Sequence, residues 1–171
     1  MKIAFASGKG GTGKTTVSVN IARILSGRFP VQFVDCDVEE PNGHLFLKPF
    51  IRHSIYVKAL VPKIDDKKCT NCAECSSFCV YKAIASLPNV TLVFPELCHS
   101  CGGCALICPE KAITEIERKI GIIERGDSSG IDFIHGKLDV GKTMASPLIR
   151  SLGKYIDDKL LVIMDLSLIH I

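Results

Sequence analysis

The 171-residue chain has no apolar run approaching the eighteen or so residues needed to cross a bilayer, so a membrane-spanning helix is not expected. Nor does it carry a strong charge of one sign: 21 basic and 18 acidic side chains leave a net charge of +3, too weak to point to a nucleic-acid partner. No secretory leader is legible, because Met1 leads directly into a strand-like run, and a reducing cytoplasm is the expected compartment. What the chain does have is cysteine. Nine cysteines are too many for an ordinary cytosolic enzyme unless they hold metal. The remaining composition, 47% hydrophobic and 23% charged, is that of a globular chain able to bury a core as one medium domain or two small ones.

Along the chain, Lys2-Ile-Ala-Phe-Ala6 is a short apolar run entering glycines, as expected of a buried parallel strand. Residues Lys14 to Leu25 read as a substantially buried helix stopped by Gly27, and Val31 to Asp35 as a second strand, which together make a right-handed βαβ pattern. From Pro41 to Lys68 the periodicity weakens, and the segment reads as loop and linker with a short helix near His44 to Leu47. Two strands, Lys119 to Glu124 and Ile131 to His135, are joined by the turn-rich Gly126 to Gly130. A helix over Ala145 to Ile156 and a buried strand ending at Asp165 close the pattern. With Gly8-x4-Gly13-Lys14-Thr15, a phosphate-loop pattern, between the first strand and helix, the fold class expected is a parallel α/β sheet of P-loop NTPase type, interrupted by a small cysteine-rich α+β module. The expected domains are 1–60, an insert at 61–118, and a continuation of the first domain at 119–171. Residues 60–118 carry six basic and seven acidic side chains, a net of −1, against +4 for the rest.

Two motifs carry chemistry. Gly8-Lys9-Gly10-Gly11-Thr12-Gly13-Lys14-Thr15-Thr16 satisfies the Gly-x4-Gly-Lys-Ser/Thr pattern between a strand and a helix. Glycines let backbone amides wrap phosphates, Lys14 neutralises them, and the Thr15 hydroxyl is placed to ligate Mg²⁺, so ATP is the expected ligand. Downstream, Cys69-x2-Cys72-x2-Cys75-x3-Cys79 and Cys98-x2-Cys101-x2-Cys104-x3-Cys108-Pro109 form an internal repeat offset by 29 residues. These runs match the spacing of two-cluster bacterial ferredoxins, where the fourth cysteine of each run serves the other cluster. That resemblance implies two 4Fe-4S clusters, one on Cys69, Cys72, Cys75 and Cys108, the other on Cys98, Cys101, Cys104 and Cys79. Zinc is the rival metal, but two triplets plus a fourth do not fit paired zinc ligands. Val80 stands where such ferredoxins usually have proline, Cys36 reads as a small buried residue at a strand end, and His99 as a surface residue tuning cluster hydration.

The string Lys9 to Thr16 resembles the deviant phosphate loop of the MinD, ParA and nitrogenase iron-protein class. With Val34 to Asn42, Phe94 to Ala105 and His135 to Gly141, the chain is similar over residues 1 to about 165 to MinD-superfamily ATPases containing an inserted ferredoxin domain. The resemblance implies a nucleotide-sandwich homodimer in which Lys9 reaches the partner's nucleotide, Asp37 orients the attacking water, Asp35 acts near the magnesium, and Asp165 holds Mg²⁺ at the Walker B position. It also implies ATP-driven control of electron delivery to a redox partner. Two rivals are an assembly or carrier ATPase for iron-sulfur or iron-molybdenum cofactors, and a non-catalytic redox sensor that dimerises on ATP. No spare Cys-x2-Cys pair is present for a transferable, dimer-bridging cluster, which disfavours the carrier. Leu166 to Ile171 departs from the family, where a Pro-Pro-Gly second switch follows, and resembles translated adapter sequence. The expectation is therefore a fragment truncated after the Walker B strand that hydrolyses little ATP by itself.

Overall fold

In the computed structural model, which describes residues 1–7, 9, 11–142 and 144–167, the elements run in the order β1 (Lys2–Ser7), α1 (Lys14–Ser26), β2 (Val31–Asp35), α2 (Gly43–Leu47), β3 (Phe50–Ile64), α3 (Glu74–Phe78), β4 (Ile84–Leu87), β5 (Val90–Val93), α4 (Gly103–Ile107), β6 (Ile113–Ser128), β7 (Ile131–Leu138), α5 (Ser146–Gly153) and β8 (Leu161–Ser167). The chain divides into two units. One comprises Met1–Val57, Ile120–Val140 and the chain from Ala145 on; the other comprises Lys58–Lys119 with Gly141–Met144. Both boundaries between the longer pieces fall inside strands, β3 and β6. The segment from Pro41 to Lys68, expected to be loop and linker, is largely the 15-residue strand β3. Its alternation is masked because most of its residues up to Tyr56 are exposed on both faces.

The first unit is a mixed α/β fold around a mostly parallel sheet of order β1-β8-β2-β7-β6-β3. β1, β8, β2 and β7 run parallel, and β7 turns back antiparallel into β6. β1 and β2 each pair with β8, so the βαβ unit built around α1 skips one strand that arrives much later in sequence. β2 is buried at all five positions, as a central strand covered on both faces should be. Of its two buried polar side chains, Gln32 is fully satisfied: its Nε2 donates to Asp132 Oδ2 at 2.7 Å and to the Tyr155 carbonyl at 3.1 Å, and Oε1 accepts from Asp157 N at 3.0 Å. Arg125 completes the group with a two-pronged ion pair to Asp132. On one face Phe33 and Phe133 stack with centroids 6.0 Å apart, joined by Ile163, Val19 and Ala22. α1 buries only a narrow stripe, Ser18, Val19 and Ala22, and leaves Val17 and Ile24 exposed, so it is less covered than its apolar content predicted. Among the described residues no helix is long and apolar enough to cross a membrane.

In the second unit the 29-residue repeat is repeated in backbone geometry. Asn71 and Ser100, Ala73 and Gly102, and Lys82 and Lys111 all take positive φ at equivalent positions, and α3 and α4 begin 29 residues apart. Equivalent amides donate to equivalent sulfurs: Ala83 N to Cys79 Sγ at 3.4 Å and Ala112 N to Cys108 Sγ at 3.3 Å. Between the repeats β4 and β5 form an antiparallel hairpin from Ile84↔Val93 to Leu87↔Val90. The core is small, centred on Cys75, Ile84 and Ile113.

Candidate functional site

Gly8 and Gly10 of the phosphate-loop motif lie outside the described residues; the rest of the loop leads from β1 into α1. Gly11 and Gly13 hold φ of 76° and 84° with no atom within 4 Å of where a Cβ would stand, so backbone conformation, not crowding, requires glycine there. The Ser7 hydroxyl donates to the Lys9 carbonyl at 2.9 Å and shares a hydrogen bond with the Thr12 hydroxyl at 2.6 Å, tying the two sides of the loop. α1 starts at Lys14 with no acidic residue in its first turn, leaving the positive end of its dipole open to an anion. Lys14 and Thr15 are half-buried at that end, whereas Lys9 and Thr16 are exposed.

Beside this helix start, strand register sets four titratable residues in one row across the sheet. Asp165 on β8 lies opposite Asp35 on β2, Asp35 opposite His135 on β7, and His135 opposite Glu124 on β6. Asp165 is 1% exposed and both its carboxylate oxygens are buried without a hydrogen-bond partner. Burial raises its pKa, while the nearby Thr15 hydroxyl and Lys14 ammonium favour its ionised form. Asp35 accepts from Asp37 N at 3.1 Å and Gly43 N at 2.8 Å. Burial pushes its carboxyl up to about 7, opposed by the Gly43 amide and reinforced by the charge of Asp165. Asp37 is half-buried and close enough to raise both neighbouring carboxyls. Two buried carboxyls this close are costly as anions unless positive charge joins them. His135 Nε2 pairs with Glu124 Oε2 at 2.8 Å, and burial holds the imidazole below its ordinary pKa. Sequence reasoning missed His135 and Glu124. Strand alternation puts Ile131, Phe133 and His135 on one face, but only the register of β2, β7 and β6 shows what His135 stands beside.

The eight motif cysteines line two cavities. Cys79, Cys98, Cys101 and Cys104 border one together with Phe78, Tyr81 and His99. Cys69, Cys72, Cys75 and Cys108 border the other with Thr70, Thr91 and Glu110. Each set therefore takes three cysteines from one run and its fourth from the other. His99 stacks on Tyr81, with centroids 3.5 Å apart and planes 9° apart. All nine cysteines are free of disulfides. Burial pushes the Cys104 thiol up to about 11 and raises Cys75 and Cys98, so these groups are protonated thiols at neutral pH. Cys36 borders neither cavity; burial pushes its thiol up to about 12, the state of an inert core residue. Among the described residues no three His, Cys, Asp or Glu side chains converge closely enough to hold a single metal ion.

Comparison with known proteins places this geometry in a family. The chain is 38% identical over 162 residues to the uncharacterized protein MJ0578 of Methanocaldococcus jannaschii, covering 91% of this chain and 54% of that protein. It is 28% identical over 159 residues to the uncharacterized protein MJ0579 of the same organism, covering 91% of this chain and 56% of that one. A shorter match, 46% identical over 54 residues, covers 32% of this chain and 21% of the uncharacterized protein BBD21 of Borreliella burgdorferi. The chain thus spans about half the length of the curated relatives that it matches over most of its own residues. Residues 3–123 match the model of the CobQ/CobB/MinD/ParA nucleotide binding domain, a span that includes the phosphate loop, Asp35 and all eight motif cysteines. The chain belongs to the CobQ/CobB/MinD/ParA nucleotide-binding family.

Proposed function

We propose that this chain binds ATP with Mg²⁺ at the loop Gly8–Thr16 and holds two 4Fe-4S clusters on its two cysteine sets, so that nucleotide state controls electron delivery to a redox partner. The observation that carries the reading is the four-and-four division of the cysteines around separate cavities, in a chain of a nucleotide-binding family. Every cysteine of the two runs is used once. The donor set fits the group: each set consists of four thiols, and backbone amides already point at Cys79, Cys98 and Cys108 sulfurs. A mononuclear zinc site gathers its thiolates on one ion at about 2.3 Å. A cubane takes each cysteine on a different iron, which suits four cysteines spread around one cavity. When bound, such clusters supply one-electron storage and transfer.

At the nucleotide, Lys14 neutralises phosphate charge, and Thr15 and Asp165 hold Mg²⁺. The buried, partnerless carboxylate oxygens of Asp165 beside Thr15 are what that cation would satisfy. Asp35, held by two backbone amides, acts near the metal, and Asp37 orients the attacking water. Exposed Lys9 serves a second copy's nucleotide in a homodimer. The test is an anaerobic redox titration with a low-potential donor, with and without ATP. Reduction that changes in extent or midpoint on adding ATP is the expected result; identical curves, with nucleotide shown to be bound, would overturn the coupling.

A further inference from the structure

The two cysteine cavities come from one repeat but are not dressed alike, and the difference centres on the hairpin between the repeats. Ser86 on β4 and Thr91 on β5 are cross-strand register partners, with hydroxyl oxygens 2.9 Å apart. Thr91 is 7% exposed, and its hydroxyl is 2.9 Å from Asn71 Oδ1 and 3.7 Å from Cys69 Sγ. Cys69 Sγ is also 3.8 Å from Asn71 Oδ1. With Cys69 as a thiol the pattern is closed, because the thiol proton points at these oxygens. On ligation that proton leaves, the sulfur becomes an acceptor, and two oxygens would face it without a donor. Turning the Thr91 hydroxyl from Asn71 to the sulfur supplies one donor, its lone pairs then accept from Ser86, and a flip of the Asn71 amide sets Nδ2, not Oδ1, against the Thr91 oxygen. Among the described residues no hydroxyl stands within hydrogen-bond distance of a sulfur in the other cavity: the repeat equivalent of Asn71 is Ser100, whose Oγ is buried without a partner and whose amide, not its hydroxyl, donates to Cys98 Sγ at 3.4 Å.

We infer that Thr91, oriented by Ser86, is a tuning residue that donates a hydrogen bond to the Cys69 sulfur and makes the cluster on Cys69, Cys72, Cys75 and Cys108 easier to reduce than it would otherwise be. A donor to a ligand sulfur stabilises the more negative, reduced state and so raises the potential. The assignment rests on the reading of the cysteine sets as cluster ligands. The test is an EPR-monitored redox titration of the anaerobically reconstituted full chain as wild type, Thr91→Val, Thr91→Ser and Ser86→Ala. The valine keeps the shape and removes the donor. Expected is a fall in the midpoint of one cluster only, recovered in Thr91→Ser, with a smaller fall of the same midpoint in Ser86→Ala. A fully loaded Thr91→Val chain in which neither midpoint moves, or both move equally, overturns the inference. If Thr91→Val does not load fully, unchanged midpoints in Ser86→Ala overturn it instead. Wild-type protein that takes up no iron sinks the underlying reading and this assignment with it, an outcome distinct from loaded clusters that do not shift.

Discussion

Replacing Gly43 with alanine tests whether the packing beneath Asp35 is as tight as it looks. A Cβ at Gly43 would stand 2.7 Å from Phe33 Cε1 and 2.9 Å from Asp35 Oδ2. Neither neighbour can yield cheaply: Phe33 is fully buried in its stack on Phe133, and Asp35 is fixed by the Gly43 amide itself at 2.8 Å. Overpacking of a filled core costs about 1–3 kcal/mol, and weakening a hydrogen bond to a buried acceptor costs a similar amount. A combined loss of about 3 kcal/mol would lower Tm by about 6–12 °C in a chain of this size. Gly153→Ala is the control, since a Cβ there meets nothing within 4 Å and the position ends a helix. It should be neutral or mildly stabilising. Thermal unfolding of the metal-free chain by circular dichroism reads both. Wild-type stability in Gly43→Ala would refute the claim that α2 clamps Asp35 by close contact.

Lys14→Ala should weaken ATP binding at least tenfold, about 1.4 kcal/mol or more, whereas Lys9→Ala should keep binding and lose association-dependent turnover; calorimetry and sedimentation separate the two, and equal loss of affinity in both would remove the case for a sandwich dimer. Cys108→Ala should cost the cluster shared with Cys69, Cys72 and Cys75, leaving about half of the iron; spectroscopic loss confined to the Cys98 set would reverse the pairing. His135 is held neutral by burial, so the stability it contributes is complete above its ordinary pKa of 6.5 and is lost as pH falls below that value. Urea unfolding between pH 5 and 7.5 should therefore be flatter in His135→Gln, and an unchanged slope would count against a neutral, buried imidazole.

The phosphate loop and the cysteine repeat were legible because both are local: spacing alone sets strand, turn and helix at Lys2 to Ser26, and the 29-residue offset reappears as matching φ values at Asn71 and Ser100. Resemblance to ferredoxins supplied the exchange of fourth cysteines, which spacing cannot give. What was not legible depends on register and order. That β8 slips between β1 and β2 is decided by residues 161–167, more than a hundred positions from either partner strand. β3 was hidden because its first half, up to Tyr56, is mostly exposed on both faces and shows no alternation, and the Asp165–Asp35–His135–Glu124 row exists only once four strands are aligned. Thr91 carried no sequence signal beyond a polar residue in an apolar hairpin strand.

Iron and acid-labile sulfide analysis of the anaerobically reconstituted chain, alongside zinc analysis of the same sample, tests the central claim most directly. Two cubanes on the two cysteine sets require about eight irons and eight sulfides per chain. Stoichiometric zinc with no iron would contradict the account.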